Sequence, residues 1–308
     1  MEKGYHTFVR KFQDELLAAA GLEETEIYFI QKDACPDISV DRLFLVRETK
    51  EDTKEVCALH TRELYEQYLS GTSLQSLTEL VLLEVQKVKG MGLVEKIQDI
   101  SDYEKIKSSL FIRLLNVNLH REKLRNAVYY VLGDIALALY VKIGESEGLI
   151  SSTKVQEDVL HMWPCEREEV FQEALMNTYY MAPPRIYSWE KLFFHPGYRG
   201  EAFMNLLEEH QLHKDCMGNC LSTLRKTEGA VAIFLPGVAE RLADLLGANF
   251  YIVFTSVHEV MIHNETQVDP EDLRTVLKDT IKEATSEEEF LSYYIYHYNR
   301  KTRQFSYL

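Results

Sequence analysis

No apolar run in this 308-residue chain approaches the roughly eighteen residues that a membrane helix needs, and mean hydropathy is negative at −0.23, which rules out a membrane span. The start, MEKGYHTFVRKFQDELL, lacks the apolar stretch and small-residue cleavage site of an export signal. Cysteine is scarce. Cys35, Cys57, Cys165, Cys216 and Cys220 are odd in number and scattered, so they do not read as a disulfide framework, and a reducing cytoplasm is the natural setting. Positive charge is also short: 34 basic against 49 acidic side chains leave −15, which argues against ordinary binding to a phosphate backbone. No Gly-x-Ser-x-Gly elbow, Walker-type loop or dinucleotide glycine pattern occurs, so no recognised catalytic signature stands in the chain.

What is present is patterned. Phe8, Phe12, Leu16 and Ala19 fall at helical spacing before Gly21 and predict a helix over 6–20. Three β-rich runs, 26–30, 41–46 and 55–59, predict an antiparallel meander. Thr61 is placed to cap a short helix bearing Leu64 and Tyr68, and Ser73 a longer one bearing Leu74, Leu77, Val81, Val85 and Val88. Gly90-Met91-Gly92 is the best candidate hinge, and a boundary near residue 100 separates an N-terminal unit, 1–100, from a C-terminal one, 101–308. Beyond it, strands are expected at 110–115 and 135–143, the second covered on both faces, with 149–152 as their partner. A helix over 166–178 ends at Ala182-Pro183-Pro184, and 195–200 forms an exposed loop.

The last third reads as a buried strand 230–235, a Pro236-Gly237 turn, a helix 238–246 closed by Gly247, and strands 250–254 and 257–262 joined tightly at Thr255-Ser256. Asp269-Pro270-Glu271-Asp272 starts a helix, Ser286 with Glu289 is a capping box for a short final helix, and 293–298 alternates as a strand. The fold class is α+β: a small unit of helix, three-strand meander and two helices, then a larger unit around a mixed or antiparallel sheet.

The run GAVAIFLPGVAERLADLLGANFYIVFTSVHEVMIHN at 229–264 resembles a family of gut Clostridia, domain of unknown function 5688. LYEQYLSG, ISSTKVQEDVLHMW, EEVFQEALMNTYYMAPPRI and YHYNRKT match in order, so the resemblance spans nearly the whole chain. More faintly, the chain is similar to the uncharacterised YtpQ proteins of Bacillus. Leu235 stands where the family usually has Tyr, and 129–134 keep the acid of a segment that in relatives often carries a Pro-His pair. The resemblance implies an order of elements and no chemistry.

The candidate catalytic residues are Ser256, His258 and Glu259. Neighbours on a strand project to opposite faces, which weakens an acid–base pair of His258 with Glu259, and the competing reading has them bonding backbone at the turn. His210, His213, Cys216 and Cys220 offer four zinc ligands within eleven residues, although all sit in one segment rather than two separated pairs. Arg300, Lys301 and Arg303 beside Tyr298 and Phe305 could hold a phosphate, but their number is small against −15. Leu64, Tyr65, Tyr68 and Leu69 form a stripe that faces either a partner or the core. The expectation is a non-enzymatic cytoplasmic binding or regulatory protein with a protein partner and no cofactor. The alternatives are a hydrolase or metal-dependent enzyme using His258 and Glu259, and an acidic mimic of nucleic acid.

Overall fold

The computed structural model describes residues 2–20, 26–32, 41–48, 54–89, 99–146, 149–195 and 197–308. The chain divides into two compact units, 1–98 and 99–308. The expected hinge at 90–92 and Cys35 lie outside the described residues.

In the first unit, α1 (Glu2–Ala20) buries Tyr5, Phe8, Val9, Phe12 and Leu16 along one stripe, as its spacing dictates. Strands β1 (Ile27–Ile30), β2 (Arg42–Glu48) and β3 (Lys54–His60) pair as the expected meander, with Ile27 opposite Leu45 and Leu43 opposite Leu59. Helix α2 (Thr61–Leu69) follows β3 directly, so His60 and not Thr61 stands at the cap. Thr61 is used elsewhere: its hydroxyl reaches the Asp41 carbonyl at 3.1 Å and the Tyr5 hydroxyl at 2.5 Å. Helix α3 (Leu74–Lys89) is capped by Ser73, whose Oγ accepts the Ser76 N–H at 3.1 Å. Leu77 and Val81 close the core, Leu64 and Tyr65 pack against it, and Tyr68 and Leu69 of the same stripe are exposed.

Asp41 is the polar anchor of this unit. Its Oδ1 accepts the Lys32 N–H at 2.8 Å, and its Oδ2 pairs with Arg62 Nε at 2.7 Å; the Arg62 guanidinium also lies 4.0 Å above the Tyr5 ring. Burial pushes the Asp41 carboxyl up, but these bonds together outweigh it and hold the group below the ordinary carboxylate range. A depressed folded-state pKa means that the stability is present above the unfolded value of about 3.9 and is lost as pH falls through the lower folded value. Asp41→Asn should therefore lower stability at pH 7 by about 1–3 kcal/mol, and acidification should then cost the variant less than the wild type. Urea unfolding monitored by hydrogen exchange in β1–β3, at neutral pH and at about pH 3, checks both.

The second unit holds two sheets. Strands β4 (Leu110–Asn116), β5 (Tyr129–Leu132), β6 (Ile135–Ser146) and β7 (Leu149–Lys154) form one, with β4 on one side of β6 and β5 then β7 along the other. Ile135, Ala136, Ala138, Leu139 and Val141 are all buried, as the unbroken apolar run predicts. Helix α4 (Arg167–Met181) is tied to β4 through Thr178, whose Oγ1 accepts the Ile112 N–H at 3.0 Å. The second sheet runs β13-β12-β10-β11-β9-β8, built from β8 (Pro184–Tyr187), β9 (Asn219–Thr223), β10 (Phe250–Phe254), β11 (Val260–Asn264), β12 (Tyr296–Asn299) and β13 (Gln304–Tyr307). Every described pairing is antiparallel, which decides between the mixed and antiparallel alternatives. Helix α5 (Val238–Leu246) ends on left-handed Gly247, and α6 (Pro270–Ala284) starts on Asp269, whose carboxylate accepts the Glu271 N–H at 2.8 Å.

Four more expectations give way: the strand expected over 293–298 starts only at Tyr296. The run at 230–235 is a buried 3-10 helix, Gly229–Phe234, not a strand; Leu235 follows it in an extended conformation. Strand β11 starts at Val260 and not at 257, so the β10–β11 connection is the five residues 255–259. No final helix follows Ser286: residues 287–289 form a turn, and Glu289 reaches back to the Ser286 N–H at 3.5 Å without a helix behind it.

The two sheets are joined through Asp134. Its Oδ1 accepts the Ser292 hydroxyl at 2.5 Å and lies 2.8 Å from the Tyr296 hydroxyl, and its carbonyl accepts the Val117 N–H at 2.8 Å. Buried Asn116 donates to the Leu291 carbonyl at 2.6 Å and takes the N–H groups of Asn118 and Leu119, both at 2.9 Å.

Candidate functional site

The 255–259 connection brings His258 between two acidic residues from distant parts of the unit. The Glu228 backbone N–H points at Nδ1 from 3.1 Å, and Glu289 Oε1 lies 3.1 Å from Nε2. A backbone N–H can only donate, so the network assigns the lone pair to Nδ1 and the proton to Nε2, which donates to Glu289. Hydrogen bonding from His258 is the largest influence on the Glu289 carboxyl, which is held below its ordinary range. The His258 main chain is tied as well: its N–H goes to Ser256 Oγ at 3.0 Å, and its carbonyl takes the Ser222 hydroxyl at 2.7 Å.

Among the expected catalytic residues, then, Ser256 accepts from the His258 main chain while both imidazole nitrogens are engaged elsewhere. Glu259 turns the other way, toward buried Cys220, whose Sγ lies 3.6 Å from its Oε2. His258 and Glu259 do diverge, but because they sit in a loop, not because they alternate on a strand.

The expected zinc ligands separate likewise. Cys220 is buried in β9, where burial first and Glu259 second push its thiol far up. Cys216 is exposed. His213 is held through its main chain, which exchanges two 2.8 Å bonds with the Asn219 amide, and His210 lies 3.8 Å from Glu208. Among the described residues no group of three or more His, Cys, Asp or Glu side chains is placed to hold a metal ion. Of the basic tail cluster, Arg300 is spent on Asp244 at 3.0 Å and on the Gly247 carbonyl at 3.2 Å, and Tyr298 is buried against Phe250, so no stacking platform forms there.

Sequence reasoning missed a row across the second sheet. Tyr251 on β10 stands directly opposite His263 on β11 and His297 on β12. His297 Nε2 meets Glu265 Oε2 at 2.8 Å, and its ring lies 5.4 Å from that of Tyr251. Burial, then Glu265 and Asp269, push the Tyr251 hydroxyl up. His263 is only 8% exposed, its Nδ1 has no partner, and burial pushes its pKa down, so it is held neutral. It stacks on left-handed Gly218, where an added Cβ would fall 2.5 Å from the ring. The alternation of the three strands carried this signal, but only the register, which local sequence does not reveal, brings the residues into one row.

Fold and site together define an α+β protein of two units built on antiparallel sheets. A family of unknown function, DUF5688, matches residues 5–300, and the chain belongs to that family. No curated protein and no solved structure matches it.

The tautomer at His258 is open to measurement. Long-range nitrogen-15 NMR should find Nδ1 pyridine-like and Nε2 pyrrole-like at neutral pH. His258→Ala should lower stability by about 0.5–1.5 kcal/mol, because it removes the bonds to the Glu228 N–H and to Glu289.

Proposed function

We propose that the protein is a non-catalytic binding or regulatory protein of the cytoplasm. One observation carries the reading. His258, the strongest sequence candidate for a general base, has both nitrogens committed to holding 228, 258 and 289 together, with the basic lone pair turned toward a backbone N–H. A base needs that lone pair within reach of a substrate proton. The acid excess supports a nucleic-acid mimic less than its size suggests, because acids such as Asp41, Asp134, Asp269 and Glu289 accept hydrogen bonds within the fold. A second reading, a general acid–base enzyme, draws on the His297–Glu265 pair beside Tyr251 and not on His258 with Glu259.

Purified wild type, His258→Gln and His297→Gln should be compared on chromogenic ester, phosphoester and amide substrates. The proposal expects no turnover by any of the three. Turnover abolished by His258→Gln would contradict it, and turnover abolished by His297→Gln alone would favour the second reading.

A further inference from the structure

A basic patch stands out on this acidic molecule at the β8 edge of the second sheet. Arg185 and Tyr187 alternate onto one face of β8, and left-handed Gly200 passes so close that an added Cβ would lie 2.8 Å from both the Arg185 Cβ and the Tyr187 ring. The Tyr187 and Tyr198 rings meet edge to face at 5.9 Å. Lys226 Nζ lies over Tyr187 at 5.2 Å and Lys191 Nζ over Tyr198 at 5.6 Å, so two ammonium groups flank two tyrosines.

The patch is built, not incidental. Lys226 holds a left-handed φ of +61°, and Glu228 two residues on holds +51°, conformations that L side chains adopt only when their surroundings impose them. The left-handed backbone at Lys226 sets where its side chain leaves the chain, and its Nζ lies over Tyr187. Glu228 is drawn away by Arg113 at 2.8 Å, and Arg225 by Glu145 at 2.8 Å.

Carboxylates already use this chemistry. Residue 201 bridges to Ile186 on the outer side of β8, and its carboxylate meets Lys191 at 2.6 Å. Lys191 is thereby neutralised. Arg185, whose Nη1 reaches only the Pro184 carbonyl at 2.9 Å, exposed Arg199, and exposed Lys226, whose Nζ reaches only the Tyr198 carbonyl at 3.5 Å, have no carboxylate partner among the described residues. Unneutralised Arg185 and Lys226 beside Tyr187, with Arg199 next along the chain from Tyr198, on a chain whose formal charge is −15, call for an anionic partner.

We propose that this patch is a docking surface for an acidic segment of a partner protein, recognised through carboxylates that pair with Arg185, Arg199 and Lys226. Carboxylates fit better than nucleic acid for two reasons. Tyr187 is buried and Tyr198 half-buried, so neither offers a face on which a base stacks. A long phosphate chain would also run off three cations onto an acidic surface.

The inference rests on the binding-protein reading and adds the partner's chemistry. The test is fluorescence anisotropy with a short labelled peptide of alternating glutamate and glycine, at low and raised salt. The expected result is saturable binding that salt weakens, that falls about tenfold in Lys226→Glu and in Arg185→Gln, and that is kept by Lys278→Glu on α6. Three results overturn it: no saturable binding, equal loss in Lys278→Glu, or tighter binding of a single-stranded oligonucleotide through the same residues. Absence of peptide binding would end this inference alone, whereas substrate turnover would end the non-catalytic reading, so the two failures are distinguishable.

Discussion

The constraint on which the second unit depends is the seating of the Asp134 turn on the Tyr296 hydroxyl. Tyr296 is fully buried, and its hydroxyl accepts the Asp134 N–H at 3.3 Å while facing Asp134 Oδ1 at 2.8 Å and the Leu132 carbonyl at 3.0 Å. It has a single proton to share between those two acceptors. Burial first, then Asp134, raise its pKa strongly, so it stays a neutral donor. The approach is close enough to require glycine at 133: φ is +62°, and an added Cβ would lie 2.7 Å from the hydroxyl oxygen. A tight turn of one sheet is thereby locked onto the first residue of β12 in the other. Asn116 and Ser292 then complete a network in which buried polar groups find partners, the condition under which such networks specify a structure.

His258 repeats this logic in the loop that follows β10. The loop uses the His258 imidazole and carbonyl to connect 222, 228 and 289. Close packing enforces the arrangement: an added Cβ at Gly229 would lie 2.6 Å from the His258 carbonyl oxygen and 2.8 Å from the Thr223 nitrogen. Ser256, His258 and Glu259 each take part in hydrogen bonds within the fold.

How much of this was legible in the sequence follows from where the information resides. The first unit was legible element by element, because each segment has a helical or alternating period of its own, and Gly21, Gly71 and Ser73 mark helix ends. Helices α5 and α6 were legible for the same reason, from Gly247 and from Asp269-Pro270. The run 230–235 was not: a segment buried on every side has no period, and the close approach at Gly229 is a tertiary fact. Strands β5 and β8 have four residues each and no clear alternation, and β8 starts on the second of two prolines that read as a helix stop. For the candidate site, the sequence singled out His258, but its partners lie about thirty residues away on either side, and the row of Tyr251, His263 and His297 is created by register.

The central claim is that polar joints make the two sheets of the second unit one cooperative body, with the Asp134–Tyr296 contact as the principal joint. Native-state hydrogen exchange on Tyr296→Phe tests it most directly, because the variant keeps the ring and removes only the hydroxyl. The account predicts that amides in β4–β6 and in β10–β12 lose protection together and by similar factors. Loss confined to residues 132–134, with both sheets as protected as in the wild type, would contradict it.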